Sequence, residues 1–377
     1  RTPPLVLTLA PPPARATPPP PPAHATTPPP AAPAAQSPPA ERAHAHAPPP
    51  PPATAAVPRG TEPHFRTPNT ESNERGIATR CLPELLSDQG YQSVYMMPHI
   101  ADFEDWNRLV ANLGFDEFIP LEKMGDTTGF EWAHYFGMED DVMLDPTRKW
   151  LEEHGDEPFF VTYLTATPHH DYRAPKRYGR HDFAEEEIFN RYLNAVHYQD
   201  HFLRNLFDLY RELGLYEETV FVLVGDHGQA FYEHGRMGHS NVPYQEGLTV
   251  PFLVHAPGAF QDGRRLPDIV NHLDVLPTAI SLLGFELQGG VHRGRPVWQA
   301  DADRTTRFHC WMERECAGSV HRSWKYVHHF GERPDELFDL SSDPEEHVNL
   351  AARFPGRVER QRETVLRWRR DVNAAYE

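Results

Sequence analysis

Cysteine is scarce, with only Cys81, Cys310 and Cys316 in 377 residues, which excludes a disulfide framework or a thiolate zinc site. A Cys310–Cys316 bridge and a pair of plain buried thiols both stay open. No run approaches the ~20 apolar residues that a membrane span requires, and Leu5 to Ala10 is too short and too proline-flanked for a signal peptide. The residues given read as a soluble chain with no transmembrane segment. Positive charge is also short, the formal net charge being −18. That balance argues against nucleic acid as a partner and makes an anionic substrate depend on a locally positive or metal-bearing site. Aromatic residues are absent from residues 1–60, which hold 22 of the 40 prolines and a charge of +3. Such a Pro/Ala-rich stretch buries too little apolar surface to offset its ordering entropy, so residues 1–60 read as disordered and as contributing nothing to a core.

What is present begins after that stretch, where all seven tryptophans and all 21 phenylalanines lie. Helix and strand patterns alternate: a helix over Leu82–Gly90, a strand over Tyr91–Met97, a helix over Ala101–Gly114 and a short extended piece over Phe115–Ile119. A helix over Val142–His154 then leads to Phe159–Thr165, a continuous apolar run of the kind buried on both faces of a parallel sheet. The long helix Phe189–Leu213 stops at Gly214, and a second such strand, Thr219–Val224, follows it. Leu248–His255 supplies another strand and Asp274–Leu283 a further helix. The fold class is therefore α/β, a mostly parallel sheet flanked by helices over residues 61–303. Residues 304–377 change character. Short runs at Trp324–His328 and Leu337–Leu340, with a closing helix over Pro355–Glu377, predict a small C-terminal α+β subdomain.

Both buried strands run straight into polar clusters, Thr167-Pro168-His169-His170-Asp171-Tyr172 and Gly225-Asp226-His227-Gly228. Polar groups at the C-terminal ends of parallel strands converge on one edge, where ligands bind. Asp226 and His227 pair a carboxylate with an imidazole on a rigid edge, a combination suited to a divalent cation. Glu233, His234 and His239 follow within thirteen residues. His234 and Arg236 read as loop structure.

The run from Gly225 to His239, followed by Tyr244-Gln245-Glu246-Gly247-Leu248-Thr249-Val250-Pro251, resembles the second metal-binding block of the sulfatases in the alkaline phosphatase superfamily. The segments Pro158–Pro175 upstream and His272–Thr278 downstream are similar to the same family, as is Glu336–Ala351, which resembles the C-terminal subdomain of the sulfatases proper. The resemblance implies an alkaline-phosphatase-like fold and hydrolysis of a sulfuric ester in a sulfated small molecule or glycan. It also implies a divalent metal, Ca2+ by family habit with Mn2+ or Zn2+ open because of the histidine, bound by Asp226 and His227. His239 and His169 are the implied catalytic contacts to substrate, with His170 as the alternate to His169. A secreted, lysosomal or periplasmic location is implied as well. The family's first strand, its acidic metal pair and its Cys/Ser-x-Pro-x-Arg nucleophile are expected where this chain has its proline-rich stretch. Arg80-Cys81-Leu82-Pro83-Glu84 lacks that motif's arginine, so the nucleophile is unassigned.

Overall fold

The computed structural model describes residues 3–9, 40–44, 56–63, 65, 72, 77 and 79–376, apart from 258, 260–262, 264, 302 and 311–314. In chain order the strands of its main body are β1 (Leu5–Leu9), β2 (Ala40–His44), β3 (Gln92–Met96), β4 (Glu117–Ile119), β5 (Phe159–Leu164), β6 (Val220–Val224), β7 (Thr249–Val250), β8 (Phe252–His255) and β9 (Leu266–Asn271). Six of them form the central sheet in the order β8-β6-β1-β5-β3-β4. Only β8 runs antiparallel, against β6. A smaller sheet has the order β7-β2-β9.

The apolar runs explain why this sheet is covered on both faces. In β5, Phe160 and Leu164 face a core built with α1 (Leu82–Ser87), α2 (Trp106–Leu113) and, later in the chain, residues 275–283. Phe159, Val161 and Tyr163 face a second core formed with α3 (Leu144–His154) and α4 (Glu187–Glu212). Alternate side chains of one strand thus supply opposite layers, as the two-residue strand period requires.

The reading of residues 1–60 needs correction. Leu5–Leu9 is the middle strand of the main sheet, paired in parallel with β5 and β6. Leu5, Val6 and Leu7 are all at most 1% exposed, and residues 56–59 form a buried helical turn. Composition averaged over sixty residues hid a five-residue Leu-Val-Leu-Thr-Leu run that is itself a buried-strand sequence. Residues 10–39 and 45–55 lie outside the described residues. Smaller departures have local causes. Pro251 has no N–H for a ladder bond, so Leu248–His255 divides into β7 and β8, which belong to different sheets. Glu104 and Asp105 adopt φ of 55° and 58° and split Ala101–Gly114 into a 3-10 turn and α2.

Further along the chain, α5 (Val275–Leu282) covers the first core, and an antiparallel sheet follows from β10 (Thr305–His309), β11 (Cys316–His321), β12 (Trp324–His329) and β13 (Glu336–Asp339). α6 (Pro355–Ala374) lays Val358, Val365, Trp368 and Val372 on Ala317, Tyr326 and Leu337 of that sheet. Cys310 and Cys316 form a disulfide beside the β10–β11 hairpin, which resolves the alternative left open by spacing. The subdomain grips the main body through a fully buried ion pair, Lys325–Glu346 at 2.6 Å, whose Glu346 also accepts the Gln245 N–H at 2.6 Å.

Candidate functional site

The register of the central sheet sets out the site. Leu9 is opposite both Leu164 and Val224, so β1, β5 and β6 end level and their following loops leave the same edge. Asp226 and His227 come directly after β6, and His169 lies in the loop after β5. His239 returns on the loop beyond a short hairpin formed by Ala230–Phe231 and Met237–Gly238. All four line one cavity of ≈ 320 Å³, with His170 beside them. His227 and His239 stack with ring centroids 3.7 Å apart, and His169 stands 6.0 Å from His239 and 4.1 Å from His170.

Local structure fixes each group. Gly225 O accepts from His272 Nε2 at 2.8 Å, which pins the residue before Asp226. Gly228 packs against the Glu246–Gly247 backbone so closely that an added Cβ would lie 2.1 Å from Glu246 O, which explains a glycine in that position. His227 Nδ1 lies 2.8 Å from Gly228 O, so Nδ1 carries the hydrogen and Nε2 keeps its lone pair, 3.4 Å from Asp226 Oδ2. His169 Nδ1 donates in the same way to His170 O at 2.8 Å, and His239 Nδ1 to Gln229 Oε1 at 3.0 Å. Three imidazoles therefore retain Nε2 as an acceptor. Burial, aided by neighbouring histidines, pushes His169 down to about 3 and His239 well below the ordinary histidine value.

Sequence reasoning missed several residues in and around the cavity. His99 and His134 border the same cluster, with ring centroids 5.6 Å apart and His134 5.3 Å from His169. Burial holds them neutral, at about 3 and about 2. His99 follows β3 on the same edge, so the strand-end rule could have found it. His134 sits in a two-strand ribbon with no pattern to mark it. Asp140, buried and pushed up to about 7 by burial, accepts the Ala166 N–H at 2.6 Å and so shapes the loop after β5. Glu104, raised to about 7 by burial, stands on the cavity rim. Cys81 lies elsewhere, buried before α1, with its thiol pushed up to about 12 by burial.

The Asp226 carboxylate and His227 Nε2, donor types that a divalent cation takes, form a buried and oriented pair. Among the described residues no group of three or more His, Cys, Asp or Glu is arranged to hold a metal.

The model of the family described as Sulfatase matches residues 43–285. This chain belongs to the sulfatase family. As a sulfatase-family chain it is 28% identical to bovine arylsulfatase K over 195 residues, covering 46% of this chain and 35% of that protein. It is equally 28% identical to a lipoteichoic acid synthase-like protein of Bacillus subtilis over 209 residues, covering 52% and 33%. The chain thus spans about a third of the length of these relatives. A protein of the alkaline phosphatase superfamily from Vibrio parahaemolyticus shares the fold with TM-score 0.74 at 18% identity, over 100% of this chain and 87% of that one. The architecture is alkaline-phosphatase-like, with the antiparallel C-terminal subdomain added. No helix among the described residues is long and apolar enough to cross a membrane.

Proposed function

We propose that this sulfatase-family chain hydrolyses a sulfuric ester of a small molecule or glycan in the strand-edge cavity. Asp226 and His227 hold a divalent cation in this reading. The observation that carries it is the placement of Asp226, His227, His239 and His169 around one cavity at the ends of parallel strands. A cation bound there supplies Lewis acidity to a sulfate oxygen. Calcium is the family's usual ion, while the one nitrogen and one carboxylate donor equally suit manganese or zinc. His239 and His169 each offer Nε2 as a proton acceptor. Either imidazole takes a proton from the attacking oxygen, assigned to water, and returns it to the leaving alcohol as the S–O bond breaks. An anionic sulfate beside a neutral imidazole raises its basicity toward that task. The Cys310–Cys316 disulfide supports a secreted, lysosomal or periplasmic setting.

One observation favours a second reading, in which the site binds an ester without turning it over. The sequence has no carboxylate before Glu41, and Ala10-Pro11-Pro12-Pro13 follows β1, where the family carries its acidic pair. The test pairs calorimetric titration of Ca2+ and Mn2+ with release of sulfate from 4-nitrophenyl sulfate and of phosphate from bis(4-nitrophenyl) phosphate. Metal-dependent sulfate release that disappears in Asp226→Ala is the expected result. Phosphate release alone would move the chain to phosphoryl transfer, and metal binding without either product would select the binding-only reading.

A further inference from the structure

Two more cavities continue from the reaction cavity along the face formed by the loop after β5 and the start of α4. The first, ≈ 290 Å³, shares His170, Gln229 and His239 with the reaction cavity. The second, ≈ 340 Å³, shares Tyr172 and Arg191 with the first. A single track therefore leads from Asp226 to the last cavity. Its electrostatics reverse along the way. The reaction cavity is lined by no lysine or arginine among the described residues, and its charged side chains are Glu104 and Asp226. Among the described residues the last cavity is lined by Arg173, Lys176, Arg180 and Arg191 and by no carboxylate.

Four cations gathered in a chain of net charge −18 need a reason. Two are loosely committed: Arg173 meets Asp171 and Arg180 meets Glu187, each at 2.9 Å between exposed side chains. Such solvent-screened pairs contribute little and exchange readily for another anion. The Lys176 side chain is exposed and in no ion pair among the described residues. Arg191 binds the Asp171 carbonyl and holds the wall between the two cavities. An anion bound here meets up to four donors, and charge-assisted bonds of this kind are the strong ones.

We propose that this basic cavity is a second anion subsite, which holds a sulfate or carboxylate on a neighbouring sugar of an oligomeric sulfated glycan whose reacting ester lies at Asp226–His227. The inference rests on the proposed sulfuric-ester reading of the reaction cavity. A glycan fits better than an acyclic polyol phosphate because an exposed tyrosine ring stands at the reaction-cavity end of the track. Tyr135 is 60% exposed there, whereas Tyr172 beside the outer cavities is 3% exposed and packs on Tyr192 and Phe231. Flat aromatic faces stack on sugar rings, whereas an open polyol offers no matching face.

The experiment is a calorimetric titration of the full chain with a chondroitin sulfate tetrasaccharide, N-acetylglucosamine 6-sulfate and a glycerol phosphate tetramer, at low salt. The tetrasaccharide is expected to bind about tenfold or more tighter than the monosaccharide, the scale of one added charge-assisted contact. Lys176→Glu should remove about tenfold of that affinity and change monosaccharide binding by less than about twofold. Arg180→Gln, a milder exposed change, should act in the same direction and guards against a folding effect. Equal losses for both sugars, no preference for the tetrasaccharide, or tighter binding of the glycerol phosphate tetramer would each overturn the proposal. Sulfate release is read separately on the same samples. Tight tetrasaccharide binding that Lys176→Glu abolishes, with no sulfate released, supports the subsite and counts against hydrolysis.

Discussion

Asp335 receives Tyr326 Oη at 2.6 Å, His328 Nδ1 at 2.8 Å and Arg362 Nε at 2.9 Å. Burial alone would raise its pKa, but these three donors outweigh burial and hold it down at about 2, against an ordinary 3.8. A carboxyl depressed on folding stabilises the fold fully above its unfolded value and loses that contribution as pH falls through the folded one. Urea unfolding should therefore show Asp335→Asn costing about 1–3 kcal/mol at pH 5, with the difference from the parent chain shrinking as pH falls from 3.8 toward about 2. A pH-independent difference would contradict this. At the site, His272 donates to Gly225 O and is not among the described residues lining the cavity, so in the proposed metal-binding reading His272→Ala should weaken metal binding by about tenfold or more through lost positioning. Calorimetric titration with Mn2+ checks it. That Asp226, His227 and His169 would meet on one sheet edge was legible because each falls in a polar cluster at a strand end, and His239 follows the second cluster closely in sequence. His134 was not, since only tertiary packing brings its ribbon to that edge.

The elements divide along the same line between local and non-local causes. β5 and β6 are legible as continuous apolar runs, and α4 as a long amphipathic stretch ended by Gly214. β1 is as apolar as either, but its prolines-on-both-sides setting disguised it. β2, Ala-Glu-Arg-Ala-His, carries no strand pattern and exists by pairing with Val250 of β7 and Val270 of β9. If β1 is the keystone of the sheet, Leu7→Ala should destabilise the chain by about 2–5 kcal/mol, as for other buried leucines. Chemical denaturation measures this, and a loss under about 0.5 kcal/mol, typical of surface substitutions, would show that the strand is dispensable. Lys325–Glu346 offers a matching test for the subdomain. Lys325→Met alone leaves a buried carboxylate unpaired and should cost about 3–5 kcal/mol, while adding Glu346→Leu should recover much of the loss.

Taken whole, the molecule sets the Asp226–His227 pair and neutral histidines at a rigid sheet edge, with positive charge further along the surface. In the proposed reading, a cation at that pair is what would let a chain of net charge −18 receive an anionic ester without lysine or arginine in the described lining of the reaction cavity. In the proposed hydrolysis the Asp226–His227 pair is the point on which turnover would depend. The most direct measurement compares Mn2+ binding and 4-nitrophenyl sulfate turnover in the parent chain and in Asp226→Ala. Metal-dependent sulfate release in the parent, with both binding and release lost in the variant, is the predicted result. Sulfate release that survives Asp226→Ala, or a parent chain that neither binds the metal nor releases sulfate, would contradict it.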